Sequence, residues 1–286
     1  MFKITAPAKI NLALEVLAKR SDGYHEIKSV VQTIDLSDEL DFEPCDHLAI
    51  TADLPGWDGA KSLIYKAAQL LAPYCPVPYG ALIRVRKRIP LMSGLGGDSS
   101  DGASALMGLN RLWGLGLGQG ALMEIGAALG SDVPFFFCAG TAMIEGRGEL
   151  VAPLPALPPA WVVLLVPPVT PENGKTARLY GNLKPAEDFS DGVRTEDMVD
   201  SLIKGGDIDA AFFGNAFERA AGVLWPEIEE YHWRFLEAGA YHVHLSGAGP
   251  ALFSLHRDKA EAEKVYRTLK GSKLETYLSR TIGHLS

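Results

Sequence analysis

The chain is poor in cysteine: only Cys45, Cys75 and Cys138 occur in 286 residues. An odd number with no C-x-x-C pair argues against a disulfide framework and against a cysteine zinc site. Cys138 follows Phe135, Phe136 and Phe137 and reads as a small buried hydrophobe. No strongly basic run is present, and 35 acidic against 27 basic side chains leave a formal net charge of −8. That balance excludes nucleic acid and anionic membranes as expected partners. Long apolar runs are missing too. The most apolar stretch, residues 161–169, is broken by Pro167 and Pro168 and falls well short of the roughly 20 residues a bilayer span needs. The opening residues lack the hydrophobic region of a signal peptide, so a reduced, cytoplasmic setting is expected. No internal repeat is visible.

What remains is the composition of an ordinary globular protein, 47% apolar and 22% charged, enough for one large domain or two ordinary ones. Strand patterns cover residues 10–17, 29–36 and 81–86, and helical periodicity covers 62–72, 99–112 and 119–129. Pro153, Pro155, Pro158 and Pro159 then interrupt the chain, since such a run cannot continue a helix or a central strand. We read a boundary there, giving domains over 1–155 and 156–286. Residues 161–166 restart as a buried strand. Helices are expected at 200–221 and 227–238, short strands at 242–245 and 251–255 around a glycine turn, and a last helix at 260–269. Strands cluster early and helices later, which predicts an α+β class rather than regular βαβ repetition.

The most informative segment runs Pro90-Leu91-Met92-Ser93-Gly94-Leu95-Gly96-Gly97-Asp98-Ser99-Ser100-Asp101. It lies between an expected strand and an expected helix. Glycines let backbone N–H groups turn toward an anion. The following helix adds unpaired N–H groups and a positive dipole end. Ser99 and Ser100 add hydroxyls. This is an arrangement that can hold a triphosphate. It is neither the G-x-x-x-x-G-K-[ST] loop nor the G-x-G-x-x-G fingerprint. Read alone, it is also compatible with a glycine-rich turn in which Ser99 is merely the N-cap.

Further segments decide between these. Ala6-Pro7-Ala8-Lys9-Ile10-Asn11-Leu12 opens the chain, and Arg20-Ser21-Asp22-Gly23-Tyr24-His25-Glu26 follows. Gly130-Ser131-Asp132-Val133-Pro134 stands in the middle, and Leu245-Ser246-Gly247-Ala248-Gly249-Pro250 lies near the end. Together with the glycine loop they resemble, in order and over nearly the whole chain, the GHMP kinases, enzymes that phosphorylate small alcohols such as galactose, homoserine and mevalonate. The resemblance implies a two-domain GHMP fold with the active site in the interdomain cleft. It implies ATP with Mg2+ as cofactors. Within the superfamily, Gly23-Tyr24-His25 is most similar to a branch whose substrate is a cytidine diphosphate sugar alcohol.

The resemblance also assigns roles. Asp132 would accept the proton of the acceptor hydroxyl, and Lys9 would hold that carboxylate ionised and stabilise the transferring group. Residues 90–100 would cradle the phosphates, with Lys87, Ser62 and Asp101 at the adenine positions. Tyr24 would stack on cytosine while His25 bonds its edge. Asn11 would contact the sugar alcohol, and Thr176 with Tyr180 would belong to the opposite wall. Without the motifs, Asp132 reads equally as an N-cap, Lys9 as a solvated strand lysine, His25 as an exposed loop residue and Tyr180 as a packed helix aromatic. His242 and His244 share a strand face but lack an evident third ligand, so a structural role is expected. Met92 and Asp98 stand where the usual loop has glycine. Asp98 either favours the helix N-terminus, which dipole arguments support, or helps hold Mg2+. Two other readings are another small-alcohol kinase of the homoserine or mevalonate type, and a catalytically silent binding protein of this fold. The oligomeric state and direct metal ligands are not legible.

Overall fold

The computed structural model describes residues 1–75, 80–169, 174–205 and 210–283. By packing they form two compact units, one of residues 1–8, 36–91 and 96–138, the other of 9–35, 92–95 and 139–286. Two long strands, β1 (Phe2–Lys19) and β2 (His25–Glu43), contribute one part of their length to each.

In the first unit, β3 (Leu48–Ala52) leads through α1 (Leu63–Leu71) to β4 (Ala81–Arg86). β3 and β4 pair in parallel from Leu48↔Ala81 to Ala52↔Val85, so β3-α1-β4 is a crossover unit. The other side of β4 pairs antiparallel with the later part of β2, Glu39↔Arg86 to Glu43↔Leu82. Then come α2 (Gly97–Leu112), α3 (Gln119–Ala127) and the single turn α4 (Phe135–Cys138). Leu40, Phe42, Ile64, Ile83, Leu106 and Leu109 are among the side chains that make its core.

In the second unit, β5 (Thr141–Gly146) pairs antiparallel with the early part of β2, and β6 (Leu150–Pro153) pairs with β5. A separate sheet is built on β7 (Trp161–Val166). After β7 come α5 (Lys175–Gly181), α6 (Pro185–Asp188), α7 (Val193–Ile203), β8 (Gly214–Asn215), α8 (Glu218–Leu224) and α9 (Ile228–Glu237). The chain ends with β9 (His244–Leu245), β10 (Leu252–His256), α10 (Lys259–Gly271) and β11 (Glu275–Arg280). The β7 sheet has the order β11-β7-β10-β9 and is antiparallel throughout. Val162 to Leu165 are fully buried, as an uninterrupted apolar run in a central strand should be.

Several expected elements change. The strands at 10–17 and 29–36 are cores of much longer ones. Every residue from Ala6 to Val16 in β1 is buried, so no alternation marks its limits. The helix expected over 200–221 is interrupted: α7 stops at Ile203, β8 pairs in parallel with β1 at Ala13↔Gly214 and Leu14↔Asn215, and α8 starts at Glu218. The part of that helix at 206–209 lies outside the described residues. The idea that strands come early is also overturned, because the β7 sheet uses the last third of the chain. Pro153 does lie in a strand, but β6 pairs only with β5, so its missing N–H costs no ladder bond. Cys138 is half-buried rather than buried. Among the described residues no helix is long and apolar enough to cross a membrane.

Candidate active site

The glycine loop connects β4 to α2. Gly96 caps α2 in the left-handed conformation, with φ of 74°, and no side chain caps the helix. The helix therefore begins at Gly97, and Ser99 lies inside its first turn rather than at the N-cap. A left-handed residue is open to glycine at little steric cost, which explains the earlier start. The first helical bond runs from the Ser100 N–H to the Gly96 carbonyl, 2.9 Å. By helix geometry the N–H groups of Gly97, Asp98 and Ser99 have no partner one turn earlier, the arrangement that binds anions. Ser100 is fully buried and its hydroxyl has no hydrogen-bond partner. Asp98 is exposed, with Oδ1 3.6 Å from Lys87 Nζ.

Below that turn lies a dry ionic cluster. Lys87 Nζ is 2.6 Å from Asp38 Oδ2 and 2.7 Å from Asp101 Oδ2, all three side chains being at most 3% exposed. Burial alone would lower the lysine, but the two carboxylates hold it well above its ordinary range. Burial pushes the Asp101 carboxyl up to about 7 against the pull of Lys87, and Asp38 adds to the push. Asp38 Oδ1 also accepts from the Ile89 N–H at 2.8 Å, and Asp53 Oδ1 from the Lys87 N–H at 2.8 Å. The cluster thus pins the backbone entering the glycine loop. Ser62, the third residue expected at the adenine, caps α1: its Oγ accepts from the Tyr65 N–H and donates to the Gly59 carbonyl.

In the second unit, Lys9 and Asn11 share a face of β1. Lys9 is buried, and its Nζ donates to Asn11 Oδ1 at 2.6 Å. Asn11 Nδ2 donates to Ser29 Oγ at 2.9 Å, and that hydroxyl donates to the Ala13 carbonyl. The chain of bonds orients the Asn11 amide, and with it the ammonium. The Lys9 N–H donates to the Leu95 carbonyl at 2.9 Å, which ties the strand to the glycine loop.

Residues 92–95 press against the turn at Ser246-Gly247-Ala248-Gly249. The Ala251 N–H donates to the Ser93 carbonyl, and Ser246 Oγ donates to the Gly94 carbonyl. A Cβ on Gly94 would meet the Gly249 nitrogen at 2.7 Å. A Cβ on Gly247, whose φ is 51°, would come within 3.0 Å of Lys9 Nζ and 3.1 Å of Asn11 Oδ1. Glycine is therefore required at both positions. Met92, by contrast, holds φ of 53°, the region a glycine would occupy without strain.

Two residues that sequence reasoning missed complete this region. Asn215 Nδ2 donates to the carbonyls of Leu245 and Gly247, both at 2.8 Å. Lys175 Nζ donates to the carbonyl of Met92 at 2.5 Å and also to that of Gly249. A Gly-Asn pair interrupting a helical pattern was the available signal for the first. Nothing in the local pattern marks the second.

Elsewhere in the second unit, the rings of His25 and Tyr180 stack at 4.5 Å and 12°. Phe189 meets His25 edge-on, and Phe217 meets Tyr180 edge-on. Burial, aided by Lys19, lowers the His25 pKa, which favours a neutral ring with one donor and one acceptor nitrogen. Tyr24 is 55% exposed, and the Arg147 guanidinium lies 4.8 Å from its ring centre. Thr176 is exposed on the first turn of α5. In the first unit, Asp132 is exposed on the turn before α4, where the Val133 N–H donates to the Gly130 carbonyl.

The chain is similar over nearly its whole length to known proteins. The family described as GHMP kinases N terminal domain matches residues 62–140, and GHMP kinases C terminal matches 201–275. A 4-diphosphocytidyl-2-C-methyl-D-erythritol kinase of Dehalococcoides mccartyi is 49% identical over 285 residues, covering 100% of both chains. One from Pelotomaculum thermopropionicum is 40% identical over 280 residues, covering 96% of each. The crystal structure of a 4-(cytidine 5'-diphospho)-2C-methyl-D-erythritol kinase superposes with a TM-score of 0.83 at 32% identity, covering 99% of this chain and 100% of that one. Homoserine kinase from Cytophaga hutchinsonii, at 19% identity and a TM-score of 0.71 over 99% of this chain and 95% of its own, shares the fold. The chain belongs to the GHMP kinase family, with the 4-diphosphocytidyl-2-C-methyl-D-erythritol kinases as its full-length relatives.

Proposed function

We propose that this chain transfers the γ-phosphoryl group of ATP to the 2-hydroxyl of 4-diphosphocytidyl-2-C-methyl-D-erythritol, a step of the non-mevalonate isoprenoid route. The observation that carries the reading is the buried Lys9 ammonium, oriented by Asn11, bonded through its backbone to the glycine loop and roofed by Gly247. In a chain collinear with kinases of that name, this is a positive charge held beside a phosphate loop.

A new bond forms between the acceptor oxygen and the γ-phosphorus, and the bond to the β,γ-bridging oxygen breaks. The hydroxyl proton passes to Asp132, and ADP leaves. Lys9 offsets charge on the transferring group, and the open N–H groups at the start of α2 receive the phosphate oxygens. Positioning dominates in a loose transition state, so early deprotonation is a smaller contribution. Mg2+ comes with ATP and would take most ligands from phosphates and water. The exposed Asp98 carboxylate and the Ser99 hydroxyl are the donors of this chain that fit it. Ser100 is fully buried, and its backbone N–H makes the first helical bond of α2. Lys87, Asp101 and Ser62 shape the nucleotide side from beneath. Tyr24, His25 and Tyr180 take the cytosine, Asn11 and Thr176 contact the rest of the acceptor, and the enzyme works in the cytoplasm. Residues 1–155 carry the nucleotide loop and Lys9, and residues 156–286 complete the acceptor side.

A coupled ADP-release assay with MgATP tests this, comparing the cytidyl acceptor with homoserine and mevalonate. Turnover is expected with the cytidyl acceptor alone. Asp132→Ala should lose about 10²- to 10⁴-fold in kcat, the usual value of a positioned base, with an unchanged melting temperature. Near-normal activity in that variant would remove Asp132 from the mechanism. Turnover with homoserine or mevalonate instead would discard the cytosine site.

A further inference from the structure

Lys175 is a half-buried lysine to which the sequence motifs give no role. Its Nζ sits between two segments, donating to the Met92 carbonyl of the glycine loop and to the Gly249 carbonyl of the C-terminal turn. Both partners are neutral. Among the described residues no carboxylate pairs with it, and the charge it feels most is that of another lysine, Lys9. Burial, then Lys9, pulls the ammonium down to about 8.

A strap between two carbonyls needs only two N–H donors. A glutamine amide has two and carries no charge to desolvate. A lysine here costs burial of a charge, which two neutral carbonyls offset only in part, and repulsion from Lys9, which they do not offset. A ligand that brings negative charge offsets both. The ammonium has three donors, so it can keep both carbonyls and still bond an incoming oxygen. The glycine loop it touches is the segment to which the kinase reading assigns the phosphates, and the inference rests on that reading.

We infer that Lys175 is a second cationic contact for a phosphoryl oxygen, reaching it from between the glycine loop and the Gly247–Gly249 turn. The oxygen belongs either to ATP or to the diphosphate of the acceptor. Both present the same oxyanion, and the test separates them.

Lys175→Gln keeps the donors and removes the charge, and Lys175→Arg keeps the charge. Calorimetric titration of each variant with ADP, a non-hydrolysable ATP analogue and CDP is combined with steady-state kinetics. Lys175→Gln should stay folded, with a melting temperature no lower than that of the wild type, and lose about ten- to a hundredfold in affinity or in kcat/KM, the range of a hydrogen bond to a charged group. Lys175→Arg should recover part of that loss. A loss confined to ADP and the ATP analogue assigns the contact to ATP, and one confined to CDP assigns it to the acceptor. A loss in kcat with both affinities intact assigns it to the transferring group. Wild-type values throughout for Lys175→Gln would leave Lys175 a structural strap and overturn the inference. If that variant does not fold, NMR of 13C-dimethylated lysines in the wild type decides, the Lys175 signal being identified by its loss in Lys175→Arg. A signal that stays fixed at saturating ADP, ATP analogue and CDP overturns the inference. Should the wild type turn over none of the alcohols, the kinase reading fails, while the nucleotide titrations still judge Lys175.

Discussion

Lys87 and Lys175 stand on either side of the same loop question and answer it in opposite ways. Lys87 is enclosed by two buried carboxylates, which hold its pKa above the ordinary range. Lys175 bonds two carbonyls and lies near another ammonium, and its pKa falls to about 8. The first has its countercharge within the protein, with one carboxylate in excess. The second has none among the described residues. A buried lysine compensated internally acts as a support, whereas one left with neutral partners is suited to a ligand that supplies the missing charge. Only their tertiary partners tell them apart.

The strongest way to break this comparison is Lys87→Met. It abandons Asp38 and Asp101 as buried, unpaired carboxylates, and should cost about 3–5 kcal/mol of stability, read as a shift in the urea midpoint. A cost within the range of a surface substitution would mean that the cluster is not a support. Next comes Gly247→Ala. Its φ of 51° and a Cβ 3.0 Å from Lys9 Nζ displace the ammonium as well as straining the turn. We expect kcat to fall about ten- to a hundredfold, in line with a misplacement of an ångström or less, with a stability loss of about 1–2 kcal/mol. A stability loss with unchanged kcat would show that Lys9 needs no roof.

A smaller effect separates the two lysines by pH. The native pKa of Lys175, about 8, lies below its ordinary value of 10.5. Between those values the unfolded chain binds more protons than the native one, so this group makes stability rise with pH across that window. Below about 8 its penalty is fully present. Lys87 is shifted the other way, so its contribution is present below 10.5 and is lost only at higher pH. Denaturant unfolding of the wild type and Lys175→Gln should therefore converge as pH rises from 8 toward 10.5, the variant being relatively more stable at the lower end. Parallel curves would contradict the shift. The smallest effect is that of Met92→Gly. Relief of a left-handed residue gives about 1–2 kcal/mol, and glycine's extra unfolded entropy takes back about 0.5–1 kcal/mol. A net gain of less than about 1 kcal/mol with unchanged kcat is expected, and a large loss of activity would make the Met92 side chain functional.

Much of the site was legible because its chemistry is written in contiguous residues. The glycine loop, Lys9, Asn11 and the C-terminal Gly247–Gly249 turn are each short segments whose residue types carry a meaning before folding. Where helices and strands have one exposed face, as at 81–86 or 119–129, periodicity marked them closely. It failed where both faces are buried, as in β1, and where a pairing partner rather than local propensity decides the element. β8 is a two-residue strand only because β1 lies beside it, and no propensity within Gly214-Asn215 announces that.

Residue types and their order along the chain determined the class of fold and marked the glycine loop and the candidate reacting groups, because these depend on backbone freedom and on chemical functions that neighbouring residues carry. Tertiary structure alone decided what each charge faces. It put Asp101 and Asp38, about 14 and 49 residues from Lys87 along the chain, around one lysine and left Lys175 against carbonyls 83 and 74 residues distant. Electrostatic energy depends on separation in space and on burial, and neither quantity can be read from distance along the chain.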